Sequence, residues 1–232
     1  MIRAVFFDFY NTLVKFDPPR EELQAKACLE FGIHVVKKAI PLGYCVADDY
    51  MSRENARQAI QKRTPEEAQL FWGEYEAVLL RTAGANVDRD LAFRILARVR
   101  QLDRKLVLFE DVIPLLTELR RLQIKRGLIS NLTRRLAEYT RELGLTGYID
   151  FALTSLEVGA EKPHAPLFLK ALEQAGVAGS ESLHVGDQYY ADVLGARAVG
   201  IKALLLDRDG FWAQIEDCPR IKSLAEVQRY LD

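Results

Sequence analysis

One short stretch near the start of the chain limits what it can fold into: Ala4-Val5-Phe6-Phe7 followed by Asp8. Four consecutive apolar strand formers read as a strand buried on both faces, which belongs at the centre of a parallel sheet. An acid that closes such a strand lies where open α/β sheets bind their ligands. By itself Asp8 also fits a turn or a helix cap. The later segments decide between these readings. Leu128-Ile129-Ser130-Asn131 is a strand ending in a hydroxyl, and Glu161-Lys162-Pro163 sets a lysine before a loop proline. Leu183-His184-Val185-Gly186-Asp187 is a further strand ending in a carboxylate, with Asp192 five residues on.

These four pieces, in this order, resemble the haloacid dehalogenase superfamily of hydrolases. That family reads D-x-D-x-T, then Ser or Thr, then Lys, then G-D-x-x-x-D or G-D-x-x-x-x-D, each at or just past a strand end. The chain supplies Asp8-Phe9-Tyr10-Asn11-Thr12, Ser130, Lys162 and Gly186-Asp187-Gln188-Tyr189-Tyr190-Ala191-Asp192. It departs from the pattern at Tyr10, where the second acid of the first motif is expected.

The rest of the chain agrees with an α/β fold, a doubly wound parallel sheet carrying an inserted all-helical unit. From Phe109 onward strand and helix alternate: helix 111–122, strand 124–130, helix 133–143, strand 148–154, helix 165–175, strand 182–185, helix 190–199, strand 201–206 and a terminal helix 223–231. Repeated units of this kind imply right-handed crossovers. Between Phe16 and Gln101 only helical patterns occur: 22–31, then 48–63 with Asp48 or Asp49 as N-cap, then a helix after Thr64-Pro65-Glu66-Glu67, then one starting at Asp88. The expected division is a Rossmann-like core of residues 1–15 and 102–232 and a helical cap of 16–101, which is where members of the resembled family carry such a cap.

Composition bounds the function. The chain has 232 residues, 32 basic and 33 acidic, with formal charge −1. That balance gives no field to gather nucleic acid or an anionic membrane. No apolar run approaches the ~20 residues of a membrane span. Three unpatterned cysteines, Cys28, Cys45 and Cys218, fit reduced thiols in a cytoplasmic protein. The expected partner is a small molecule, bound by a monomer or homodimer.

The resemblance implies a magnesium-dependent phosphatase. A phosphomonoester is a dianion, and a carboxylate nucleophile must be shielded from it by a cation held on hard oxygen ligands. Asp8 is the implied nucleophile. Asp8, Asp187 and the backbone carbonyl of Tyr10 are the implied Mg2+ ligands, with Asp192 behind them orienting a metal-bound water. Lys162 neutralises transferring oxygens and steadies Asp8. Ser130 and the Asn131 amide bind a phosphoryl oxygen, and Tyr10, Asn11 and Thr12 line the same loop. His184 reads as a packed core residue, His164 as a loop residue, and Phe71 and Trp72 as core of the helical unit. Tyr44, Tyr50, Arg53 and Arg57 are candidates for selecting the leaving group.

Two rivals remain. The 2-haloacid dehalogenases carry D-x-Y-G-T and a Ser-Asn pair, which Asp8-Phe9-Tyr10-Asn11-Thr12 and Ser130-Asn131 resemble; they use no metal, and their last motif holds Ser and Asn where this chain has Gly186-Asp187. The other is a non-catalytic module that binds a phosphorylated ligand or a partner protein. A phosphoacceptor receiver domain shares the strand-end Asp but has no helical insertion and is roughly half as long. Asn11 replaces the usual Gly, and Asn tolerates a left-handed backbone.

Overall fold

The computed structural model describes residues 1–132 and 136–232. Its chain divides into two compact units, residues 1–15 with 107–232, and residues 16–106.

The first unit is built on β1 (Ala4–Phe7), whose four residues are all buried. A six-stranded sheet runs in the order β5-β4-β1-β6-β7-β8. Here β4 is Lys125–Ser130, β5 Phe151–Thr154, β6 Ser182–Gly186, β7 Lys202–Leu206 and β8 Arg220–Ile221. Every pairing is parallel, and β1 lies between β4 and β6, with Phe7 opposite Leu128 on one side and Val185 on the other. The chain builds outward from β1 through β4 to β5, then crosses back to β6 and on to β8. The carboxyl ends of β1 and β6 therefore flank the point where the strand order reverses, the usual ligand crevice of such sheets. Helices α5 (Val112–Arg121) and α8 (Ala165–Ala175) bury Leu115, Leu116, Leu119, Leu167 and Phe168.

Several elements differ from the sequence expectation. The helix expected at 190–199 is a π-helical turn, Tyr189–Leu194, followed by Gly195–Ala198. The terminal helix is the tighter three-residue-per-turn form, Leu224–Tyr230, capped by Ser223. The first positions of the helix expected at 133–143 lie outside the described residues; its described part is Leu136–Glu142. The strand expected from Tyr148 begins at Phe151. Two elements were not foreseen: β8, only two residues long, and a two-stranded sheet of β2 (Val14–Asp17) with β3 (Lys105–Leu108), the stretches that join the units.

The second unit has four long helices, α1 (Arg20–Glu30), α2 (Ile40–Arg57), α3 (Pro65–Thr82) and α4 (Arg89–Gln101). Thr64 forms a capping box with Glu67 at the start of α3, and the Asp88 side chain accepts from the Leu91 amide at the start of α4. The expectation that Asp48 or Asp49 begins a helix is wrong. α2 runs through both, because Ile40, Tyr44 and Ala47 form an apolar face that starts a full two turns earlier. Asp48 is buried mid-helix, accepting from Tyr75 Oη at 2.7 Å and Arg20 Nη1 at 3.2 Å. Gly43 permits the close approach of α2 to α3: a Cβ there would lie 2.8 Å from the Leu79 carbonyl oxygen.

A polar chain crosses this apolar interior. Tyr44 Oη donates to Gln24 Oε1, and Gln24 Nε2 donates to Glu76 Oε1 and to the Cys28 sulfur. Burial pushes the Glu76 carboxyl up to about 7, against Gln24 and the more distant Arg100.

Two outcomes follow. The Gly43→Ala variant loses about 1–3 kcal/mol, read as a lowered urea midpoint of the helical unit, because backbone must shift to admit the methyl. Glu76 binds a proton more readily folded than unfolded, so stability falls as pH rises from about 4.5 to about 7, by roughly 1.4 kcal/mol per pH unit within that window. Urea midpoints measured across it should show this slope, and Glu76→Gln should remove it.

Candidate active site

All the singled-out core residues come from the carboxyl ends of β1, β4 and β6 and from the loop before α8. Asp8 follows β1 directly, and its amide donates to the Val185 carbonyl at 2.9 Å, so it extends the ladder one step. The loop then turns back on itself. Leu13 and Val14 amides both donate to the Phe9 carbonyl, and the Asn11 amide donates to the Val14 carbonyl. Asn11 has φ 57°, the left-handed conformation expected of a Gly-like position. Its side-chain Nδ2 donates to Asp187 Oδ2 at 3.3 Å, tying the first motif to the last.

Lys162 is the centre of the site. It is almost completely buried, and its Nζ donates to Asp8 Oδ1 and to Asp192 Oδ1, each at 2.6 Å. Asn131 fixes the backbone beneath it: the Lys162 amide donates to Asn131 Oδ1 at 2.6 Å, and Asn131 Nδ2 donates to the Lys162 carbonyl at 2.9 Å. One short carboxamide thus bonds both main-chain polar groups of Lys162. Ser130 is buried at the end of β4.

Asp192 is 1% exposed and forms the second ion-pair partner of Lys162. Its Oδ1 also contacts His184 Nε2 at 2.9 Å, and its Oδ2 accepts from the Gln188 amide at 3.0 Å. Gly186 makes this possible, because a Cβ there would collide with the Asp192 carboxylate. Thr12 is fully buried, and its carbonyl accepts from Arg208 Nη2 at 3.0 Å, which ties down the loop that follows Asp8.

The electrostatics separate the two acids. Burial alone would raise Asp192, but Lys162 and then His184 outweigh it and hold the carboxyl well below the ordinary range. Burial pushes Asp8 up to about 6; Lys162 pulls down and the Asp192 charge adds to the rise. Burial opposes the charge on Lys162, yet Asp192 and Asp8 keep its ammonium above the ordinary value. Burial pushes the His184 imidazole below its ordinary value, against the pull of the Asp192 carboxylate.

This distribution bears on a metal. Asp8 and Asp192 share the ammonium of Lys162, and Asp187 is bonded to Asn11 of the Asp8 loop, so three carboxylates are drawn from the ends of β1 and β6. Asp8, Asp187 and the Tyr10 carbonyl offer oxygen donors only, the chemistry of a hard divalent cation. No cluster of three His, Cys, Asp or Glu side chains suited to a metal occurs among the described residues. A site here must use main-chain oxygen beside the two acids.

Sequence reasoning passed over three contributions. His184 read as core, and it is buried edge-on to Phe168, yet it also bonds Asp192. The Asn131 and Asn11 side chains were valued for backbone alone. Arg208 carried no motif at all. In the helical unit, Phe71 is buried and stacks on Tyr50, with the Arg63 guanidinium 4.6 Å from its ring centre. Tyr44 is buried and bonded to Gln24, while Arg53 pairs with Asp49 and Arg57 with Glu54. His164 stands just before α8.

The model of the haloacid dehalogenase-like hydrolases matches residues 2–200. Haloacid dehalogenase-like hydrolase domain-containing protein 3 of Danio rerio is 38% identical over 109 residues, 46% of this chain and 45% of that one, so the chain spans under half the length of this relative. The ribulose-1,5-bisphosphate 5-phosphatase of Halopiger xanaduensis is 33% identical over 216 residues, covering 89% of this chain and 85% of its own. Among solved structures, the magnesium-bound HAD-hydrolase YfnB of Bacillus subtilis superposes with a TM-score of 0.67 at 19% identity, over 99% of this chain and 98% of that one. With the motifs at three neighbouring strand ends and a family match over most of its length, the chain belongs to the haloacid dehalogenase-like hydrolases.

Proposed function

We propose that the chain is a magnesium-dependent phosphatase of small phosphomonoesters that works through an aspartyl phosphate on Asp8. One observation carries this reading: Asp8 and Asp192 close on the buried ammonium of Lys162, and a third carboxylate, Asp187, is bonded to Asn11 of the Asp8 loop. Such a surplus of negative charge suits a divalent cation, and a cation beside the nucleophile suits a dianionic substrate. The relative from Halopiger, named as a phosphatase, supports the same reading.

In this account Asp8, Asp187 and the Tyr10 carbonyl would hold Mg2+, and its charge would screen the phosphoryl oxygens. Lys162 holds Asp8 Oδ1 at 2.6 Å and so fixes how the carboxylate presents itself. An Asp8 oxygen attacks phosphorus in line; the bond to the ester oxygen breaks, and that oxygen leaves with the electron pair. The Ser130 hydroxyl and the Asn131 amide bind an equatorial oxygen. Water then attacks phosphorus, and the bond from phosphorus to the Asp8 oxygen breaks to return the carboxylate and release inorganic phosphate. The proton the water gives up balances the one taken from solvent by the departed ester oxygen. Asp192 and His184 act from behind, keeping Lys162 charged and in place. The helical unit, residues 16–106, is assigned the choice of leaving group.

Tyr10 sets the kinetic character. The resemblance puts a general acid at that position, and a phenol with ordinary pKa about 10 is a poor one at neutral pH. Leaving groups that need no proton are therefore favoured. The same tyrosine is what a metal-free dehalogenase would carry. Asp187 speaks against that alternative, since a further uncompensated carboxylate near Asp8 would raise it and weaken it as a nucleophile.

Hydrolysis of p-nitrophenyl phosphate should require magnesium, vanish with chelator, and fall by more than about 10⁴-fold in Asp8→Asn. Chelator-insensitive halide release from a 2-haloacid, with no phosphatase activity, would contradict the reading. The Tyr10→Asp variant should speed alkyl phosphates by about 10²-fold while changing p-nitrophenyl phosphate little. Equal effects on both classes would remove the missing-acid argument.

A further inference from the structure

Arg208 lies two residues beyond β7 and makes no contact that any motif announces. Its guanidinium grips two groups at once. Nη1 donates to Asp111 Oδ2 at 2.8 Å and Nη2 to Asp111 Oδ1 at 3.0 Å, a two-pronged pair. Nη2 also donates to the Thr12 carbonyl at 3.0 Å. The group lies 3.9 Å over the Phe109 ring, and the Phe109 amide donates to the Leu13 carbonyl at 3.0 Å. Both charged side chains are mostly buried, at 19% and 17% exposed.

Asp111 is itself anchored. It stands immediately before α5, and its Oδ2 accepts from Ser223 Oγ at 2.7 Å and from the Leu224 amide at 2.9 Å. Burial works to raise its carboxyl, but Arg208, Ser223 and the Leu224 amide outweigh this and hold it below the ordinary range. The fork therefore stands on a fixed base and reaches the outer side of the Asp8 loop. Thr12 follows Asn11, whose side chain bonds Asp187, and is two residues past Tyr10, whose carbonyl belongs to the proposed ligand set. Rotation of the Thr12 peptide would turn both.

We propose that Arg208 is a positioning residue for the metal-binding loop: by holding the Thr12 carbonyl against Asp111 it sets the Tyr10 carbonyl and Asn11 in place for a divalent cation between Asp8 and Asp187. The inference rests on the magnesium reading of this site. A guanidinium is required because a lysine ammonium cannot serve both acceptors in this plane. Partners behind a metal ligand set commonly change affinity by about 10–100-fold when removed.

The test is a calorimetric titration of magnesium into the full chain, paired with thermal unfolding, for wild type, Arg208→Lys and Ser223→Ala. Ser223→Ala takes a bond from the same Asp111 anchor but leaves the Thr12 contact, so it reports stability alone. Arg208→Lys should bind magnesium about tenfold or more weakly, while Ser223→Ala binds as wild type despite a comparable fall in melting temperature. Where Arg208→Lys fails to fold, Asp111→Asn, which loosens the same fork while keeping its shape, should show the same weakened binding. Unchanged magnesium affinity in the fork variants, or equal loss in Ser223→Ala, would overturn the inference. A wild-type chain that takes up no magnesium would overturn the metal reading first, and that outcome is visible in the wild-type titration alone.

Discussion

The structure of the core unit turns on one buried ammonium held between two carboxylates. Lys162 reaches Asp8 and Asp192 at the same distance, yet the two acids are left in different states because their other neighbours differ. Asp192 has His184 and the Gln188 amide as well, so its charge is fully supported. Asp8 has less, and its desolvation is not made good by Lys162 alone. A buried ion pair of this kind adds little to stability once desolvation is counted. Its consequence is chemical: Asp192 is held as the counter-ion of Lys162, while burial keeps the Asp8 carboxyl above its ordinary value.

Much of the surrounding architecture makes sense as support for that asymmetry. Gly186 leaves room for Asp192 to turn inward, and the Asn131 carboxamide pins the peptide from which Lys162 extends. Parallel pairing of β1 with β6 brings the Asp8 loop beside Asp187, and the left-handed Asn11 lets that loop close while its side chain reaches the same acid. Each contact is short-range and modest. Together they fix the orientation of three acids that would otherwise repel one another, which is the preorganisation that charge-stabilising sites depend on.

The strand-end chemistry was legible in the sequence because it follows from position: an apolar run with an acid after it has few places to go in a parallel sheet. The site residues Asp8, Asn131, Lys162, Asp187 and Asp192 come together as four motifs in order implied. Their individual contacts were less visible. Asp192 looks like an ordinary helix-start acid until Gly186 is seen to make space for it, and His184 looks like core because alternation within a buried strand carries no sign of a polar partner. Asp48 shows the same ambiguity in reverse, since an acid flanked by helical sequence resembles an N-cap when its true partners, Arg20 and Tyr75, lie on other helices. Arg208 and Asp111 are separated by 97 residues and share no spacing rule. The short β8 and the pair β2 and β3 escaped notice because two to four residues hold too little periodicity to distinguish strand from loop.

The central claim is that Asp8 becomes covalently phosphorylated during turnover. The most direct measurement is rapid acid quenching of the magnesium-loaded enzyme with a phosphomonoester, followed by peptide mass spectrometry of residues 1–15. The account predicts an acid-stable, hydroxylamine-sensitive phosphoryl group on Asp8 in wild type and none in Asp8→Asn. Phosphate release from substrate with Asp8 unmodified at every quench time, and with Asp8→Asn still turning over, would contradict it.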